Sequence, residues 1–248
     1  MEPLRRWNIA VGNFFFRYRN GLFPVLFALA GLLGRPRLLG GDPGLDQAVV
    51  RSGVFVALAG EAVRLITIGY EYIERGGKAG KVYASRLVQG GVYALNRNPM
   101  YVGNILIATG VVMVFGAPLL FMVVLPLFLF IYQAIIAAEE AYLRRQFGAE
   151  YDQYCARVPR FLPAVHRAGR ALRGLAYDWK RAVRKDLSTI AGLLLGLIAL
   201  PVWRLVWLEG WDAVRRTAPR ALGAFCGVLA VYAALAHLKR RRIFFYNE

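Results

Sequence analysis

"YVGNILIATGVVMVFGAPLLFMVVLPLFLFIYQAIIAAEE", residues 101–140, carries no charged side chain until Glu139. Apolar runs of about 18 residues or more mark bilayer-spanning helices. The run is interrupted at Gly116-Ala117-Pro118. Glycine ends helices readily and proline cannot continue one, so the stretch reads as two helices, about 101–115 and 119–138, joined by a tight turn. Pro126 is expected to kink the second. The fold class follows from this hairpin: an all-α membrane protein.

Outward from the hairpin, four more apolar runs fit spans at about 21–39, 48–73, 187–208 and 218–238. The expected architecture is an integral membrane helical bundle of about six transmembrane helices. The first 20 residues, "MEPLRRWNIAVGNFFFRYRN", mix basic and apolar positions without a cleavage pattern and read as an interfacial amphipathic segment. Composition agrees: 248 residues, 58% hydrophobic, mean hydropathy +0.42. The formal charge of +17 raises the question of nucleic acid. Its distribution excludes that reading, because the basic residues lie in connections on one side of the bundle. Two cysteines, Cys155 and Cys226, imply no disulfide framework, and two histidines without a cysteine cluster imply no metal site. His166 and His237 are given no role.

Basic residues flank the spans asymmetrically. Arg5, Arg6, the Arg75–Arg97 connection, the Arg144–Lys185 connection and "KRRR" at 239–242 lie on one side, against Arg35, Arg37, Arg215, Arg216 and Arg220 on the other. The positive-inside rule makes the first side cytoplasmic, with both termini there. The expected location is a bacterial or archaeal plasma membrane. In the long connection, Leu143, Phe147, Tyr151, Tyr154 and Val158 recur at steps of three and four, one face of a helix continuing from the fourth span. A second stripe, Val165, Ala168, Leu172, Leu175, Trp179, Val183 and Leu187, is flanked by arginines and lysines. It reads as a basic amphipathic helix on anionic lipid headgroups. Two parts are expected: a core over 1–163, and an extension over 164–248 with that helix and two further spans.

The polar ends of the 101–140 hairpin are more specific. "GGVYALNRNPMYVGN" leads into its first arm and "EEAYLRRQFGAEYDQYCARVPRFLP" leaves its second, so both ends emerge on one side, about 8–10 Å apart. Gly91, Tyr93, Arg97, Pro99, Tyr101 and Gly103, followed by Glu139, Glu140, Leu143, Phe147, Gly148, Tyr151 and Tyr154, resemble the paired motifs of the isoprenylcysteine carboxyl methyltransferase and phospholipid methyltransferase family. The resemblance covers about Gly90–Pro163. It implies a membrane enzyme that transfers a methyl group from S-adenosylmethionine to a lipophilic acceptor and releases S-adenosylhomocysteine. The acceptor is a phospholipid amine, an isoprenoid-type carboxylate or a thiol. One position departs from the pattern: Asn98 stands where the family has histidine, and an amide cannot take up a proton near neutral pH.

The residues themselves suit such a cofactor. No glycine-rich strand–turn–helix fingerprint of a soluble cofactor domain is present. Glu139 and Glu140 can face the cofactor's ammonium. Arg97, Asn98 and the backbone amides after Pro99 can face its carboxylate. Tyr93, Tyr101 and the face bearing Phe147 can hold its adenine. The resemblance adds Pro99, Gly103 and Tyr151 to this cofactor set. Positioning of the reactants falls to Arg97, Asn98 and Tyr101, with no catalytic residue assigned. Glu140 can equally pair with Arg144 at i,i+4. Glu61 and Arg64, three residues apart in the second span, form either a neutral pair or a substrate contact, and Tyr70 and Tyr72 either an interface belt or a pocket wall. Arg51 and Arg204 are expected to snorkel outward. Two alternatives stand beside this reading: an NADPH-dependent sterol or enone reductase using Arg144, Arg145 and Arg160, and a non-catalytic membrane scaffold.

Overall fold

The computed structural model describes residues 2–71 and 82–241; Tyr72 and the expected end of the second span at residue 73 lie outside the described residues. The chain folds into six long helices and two short ones, with no strand among the described residues. They are α1 (Glu2–Leu33), α2 (Pro43–Tyr70), α3 (Pro99–Phe115), α4 (Leu125–Phe147), α5 (Ala149–Arg157), α6 (Ala168–Ala171), α7 (Trp179–Leu208) and α8 (Trp211–Arg240). Among the described residues, three segments are long and apolar enough to cross a membrane: Leu120–Phe147, Trp179–Leu208 and Trp211–Arg240. Helix α3 is apolar but shorter, while α1 and α2 carry more charge.

Local chemistry sets the boundaries. Asp42 caps α2, its side chain accepting from the amides of Gly44 and Leu45, and Pro43 occupies the first turn. Pro99 opens α3 and Gly116, at φ 71°, closes it in the left-handed conformation. That glycine makes the expected hairpin turn. The kink expected at Pro126 takes the form of a π-helical turn, Leu120–Val124, just before it.

The tightest helix pair is α2 with α3, and glycines make it so. A Cβ on Gly60 would lie 2.6 Å from the Gly103 carbonyl oxygen, and one on Gly53 would lie 2.8 Å from that of Gly110. Two glycines seven residues apart on each helix let the antiparallel backbones touch, as small residues do in membrane bundles. On the other side α1 packs along α4, with Phe16 against Ile131 and Ile135.

Four expectations are corrected. The first helix is continuous from Glu2, so its early part is no separate interfacial segment: Phe16 is buried in the core, and the helix ends at Leu33 rather than near 39. The helix leaving the fourth span breaks at Gly148 (φ 51°), although Tyr151, Tyr154 and Val158 keep their shared apolar face with Leu143 and Phe147. The basic stripe 165–187 is not one helix. Gly174 adopts φ 76°, the chain is irregular up to Asp178, and α7 starts afresh with Asp178 as its cap. There Arg181 donates to the carbonyls of Ile68 and Gly69, capping the end of α2 rather than reaching for headgroups. Finally, Arg204 does not snorkel. It is buried, pairs with Asp46 and donates to the Phe115 carbonyl, tying together α7, α2 and α3.

Candidate functional site

A cavity of about 640 Å³ lies where the polar end of the α3–α4 hairpin meets α1, α2 and α7. Its size suits a small-molecule site. Two zones can be distinguished in it. One is formed by the 82–88 loop, Tyr93, Arg97, Glu140, Leu143, Tyr151 and Tyr154. The other, at the level of the long helices, is formed by Phe16, Arg19, Arg64, Tyr101, Asn104 and Tyr132, with Lys185, Asp186 and Thr189 from α7.

The two motif arms meet as their spacing predicts. Tyr101, in the first turn of α3, donates its hydroxyl to Glu139 Oε1 at 2.6 Å, and the Arg19 guanidinium lies 3.9 Å from the same oxygen. Glu140 is held by two arginines. Arg160 grips it through both oxygens (2.9 and 3.0 Å), and Arg97 lies 3.5 Å away. Such forked pairing fixes geometry as well as charge. It replaces the expected pair with Arg144, which binds Asp152 instead. Arg97 also donates to Cys155 Sγ at 2.8 Å.

The asparagines of "NRNP" act as a clasp. The Asn96 side-chain amide donates to the Phe161 carbonyl, and its oxygen accepts from the Asn98 amide at 2.5 Å. Asn98 Nδ2 donates to the Arg160 carbonyl at 3.1 Å. Backbone bonds continue the seam, from Arg97 to Pro159 and from Ala164 to Leu95. Thus 95–98 is laced to 159–164, and both asparagines are buried.

A family model described as phospholipid methyltransferase matches residues 56–150. A curated relative, the protein-S-isoprenylcysteine O-methyltransferase of Schizosaccharomyces pombe, is 42% identical over 82 residues, 32% of this chain and 34% of that protein. The alignment therefore spans about a third of the relative's length. No solved structure matches the chain with significance. Over this segment the chain is similar to the phospholipid and isoprenylcysteine methyltransferases.

Of the family-motif residues, Tyr93, Arg97, Asn98, Pro99, Tyr101, Glu139, Glu140 and Tyr151 line the cavity together. Gly103 does not: a Cβ there would meet Arg64 Cγ at 2.5 Å and the Gly60 carbonyl at 2.8 Å, so it makes room for the Arg64 stem. Phe147 packs instead into the cluster around Tyr151 and Tyr154. Tyr70 stacks edge-on with Tyr177 and is not a lining residue, whereas Arg64 is one and Glu61 sits 3.4 Å behind it. Burial, then the Glu140 charge, pushes the Tyr151 phenol up from its usual range; burial does the same for Tyr154, whose hydroxyl donates to the Tyr93 carbonyl at 2.8 Å. Both therefore stay neutral and line the cavity as aromatic surface.

Sequence reasoning missed Tyr132, Asn104, Arg19 and the α7 trio. The uncharged run around Tyr132 offered a signal, since a tyrosine deep in an apolar helix needs a partner. It finds one in Asn104 Nδ2 at 3.0 Å. Among the described residues no group of three or more His, Cys, Asp or Glu is arranged to hold a metal.

Proposed function

We propose that the protein is a multi-pass membrane methyltransferase that takes S-adenosylmethionine from the cytoplasm and a lipophilic acceptor from the bilayer. The observation that carries this reading is the convergence of Tyr101–Glu139, Arg97 and the Tyr93–Tyr151–Tyr154 surface on one cavity. The cavity matches the chemical needs of the cofactor. Glu139, which holds one tyrosine hydroxyl and lies at the limit of ion pairing with Arg19, is the carboxylate for its ammonium. Glu140, already gripped by Arg160 and Arg97, organises that wall instead. Arg97 and the first amides of α3 face its carboxylate, and Tyr93, Tyr151 and Leu143 make the adenine slot.

When bound, the cofactor supplies an electrophilic methyl on sulfonium for in-line transfer. The chain's part is alignment and exclusion of water. Tyr101 bridges the two zones: its hydroxyl is fixed by Glu139 and its ring lies edge-on to Tyr132, 5.1 Å between centroids. The acceptor is thereby confined to the zone of Tyr132, Asn104 and Arg64. That it is lipophilic is supported by the depth of this zone among apolar helices and by the names of the matching family model, a phospholipid methyltransferase, and of the curated relative, an isoprenylcysteine methyltransferase.

Six crossings with both termini cytoplasmic fit the helix directions. Asn8 borders Glu140 and Arg144, while Arg37 bonds Gly116 at the opposite end. The reductase alternative draws no support, because Arg144, Arg145 and Arg160 do not line the cavity. Calorimetric titration of the full chain, folded in detergent, with S-adenosylmethionine tests the proposal. Saturable binding is expected, and its absence in protein that remains folded overturns the reading.

A further inference from the structure

Arg64 of α2 is held more elaborately than packing requires. Its Nε and Nη2 donate to the two oxygens of Asp186 at 3.0 and 2.5 Å, and Nη2 also donates to Thr189 Oγ1 at 3.2 Å. Nη1 donates to Asn104 Oδ1. A guanidinium has five N–H donors. Four are committed here, and the fifth is the second hydrogen on Nη1. Asn104 is oriented in turn by donating to Tyr132. The pair is more than sealed glue between helices, because Arg64, Asp186, Thr189, Asn104 and Tyr132 all line the cavity. Asp186 and Thr189 belong to α7, outside the segment that matches the family.

We propose that α7 completes the acceptor side of the cavity, and that Asp186 is a positioning residue aiming the last Arg64 hydrogen at an oxygen of the acceptor's head group. This rests on the methyltransferase reading above. Two carboxylates, Asp186 and Glu61, offset the guanidinium charge, so Arg64 presents a directed donor rather than a bare cation. A directed N–H selects a carbonyl, carboxylate or phosphoryl oxygen, each of which can accept it. The fork holds only while Asp186 keeps both oxygens on it, since a bidentate pair fixes the plane of the guanidinium.

The test uses the full chain in lipid nanodiscs with two probes: N-acetyl-S-farnesylcysteine, which carries a carboxylate, and phosphatidylethanolamine, which carries phosphoryl oxygens. S-adenosylmethionine affinity is measured by calorimetry, and methyl transfer is followed as each probe is varied. For Asp186→Asn and Thr189→Val, cofactor affinity should stay within about twofold, while the probe KM rises about tenfold for the first and less for the second, with a smaller change in kcat. Asp186→Glu should recover part of the loss. Removing one partner of a buried pair can unfold the protein, whereas replacing both with apolar residues of similar size is often tolerated. The double variant Arg64→Met/Asp186→Leu therefore guards the test: it should stay folded and bind cofactor, yet lose the probe. Thermal stabilisation of wild type and variants by each probe gives the same comparison without turnover. Unchanged KM in every variant, retention of the probe by the double variant, or a probe effect that merely tracks cofactor affinity overturns the proposal. So does a wild-type protein that binds cofactor but is neither stabilised nor used by either probe. Wild-type protein that fails to bind cofactor overturns the functional reading itself, and this inference with it.

Discussion

Glu139→Gln and Glu140→Gln should behave differently, although the residues are neighbours in sequence. At Glu139 the amide keeps an oxygen to accept from Tyr101, so the local frame survives while the charge proposed to face the cofactor's ammonium is lost. A hydrogen bond to a charged group contributes about 1.5–3 kcal/mol, which corresponds to a loss of affinity on the order of 10- to 150-fold. At Glu140 the charge serves Arg160 and Arg97. That pair is partly solvated, with the Arg160 side chain 33% exposed and that of Glu140 18%. Its loss should cost about 1 kcal/mol or less of stability, about 2–4 °C in Tm for a chain of this length. Cofactor affinity should fall less than at Glu139, because only the aim of Arg97 is disturbed. Calorimetry with S-adenosylmethionine, alongside thermal unfolding in the same detergent, separates the two effects. Wild-type affinity in the Glu139 variant, or the greater binding loss at Glu140, would refute this division of roles.

Three other outcomes follow from the packing. Asn96→Ala removes two bonds of the clasp and leaves the Phe161 carbonyl without its donor, so it should destabilise by about 1–3 kcal/mol, read by thermal unfolding, and weaken cofactor binding in parallel. Gly60→Leu forces a side chain into the Gly103 backbone, where no rotamer finds space; overpacking of about 1–3 kcal/mol or more is expected, and α3 should move from α2, detectable as loss of a crosslink between cysteines engineered across that pair. For pH, burial raises the Tyr151 and Tyr154 phenols above their unfolded value of about 10. Neutral phenol is favoured in the folded state, so their contribution is fully present below that value and declines as pH rises above it. Replacing both with Phe should flatten the alkaline limb of the Tm–pH curve.

Much of this arrangement was readable because it depends on local pattern. Uncharged runs fix α3, α4, α7 and α8, and the turn at Gly116 forces the two motif arms to one end, so Tyr101 could be placed near Glu139 before any coordinates. Breaks were harder. The stripe from 165 to 187 keeps helical spacing across Gly174, while the chain leaves the helix there and docks on the end of α2 through Asp178 and Arg181, contacts that the spacing does not show. The Arg64–Asp186 pair was invisible for a different reason. Its members lie 122 residues apart, and Asp186 at the start of an apolar run looks like any interfacial acid. The pairing of Arg204 with Asp46 escaped in the same way. An arginine near the end of a span has water as an alternative partner, and the sequence carries no sign that α2 offers a carboxylate instead.

The clasp also bears on the position where this chain departs from the methyltransferase motif that it resembles. Asn98 is engaged through an N–H donor to a backbone carbonyl and through its own backbone amide, neither of which asks for proton uptake. An asparagine meets both demands. A histidine would meet the first only in the tautomer or charge state that carries a proton on the facing nitrogen. The carbonyl it binds belongs to the chain and not to a reactant, so this contact asks for no proton transfer. The departure at Asn98 is therefore compatible with an intact cofactor site. What the position must supply here is a donor that holds 159–164 down, so that Arg160 can reach Glu140 and leave Glu139 open to the cavity.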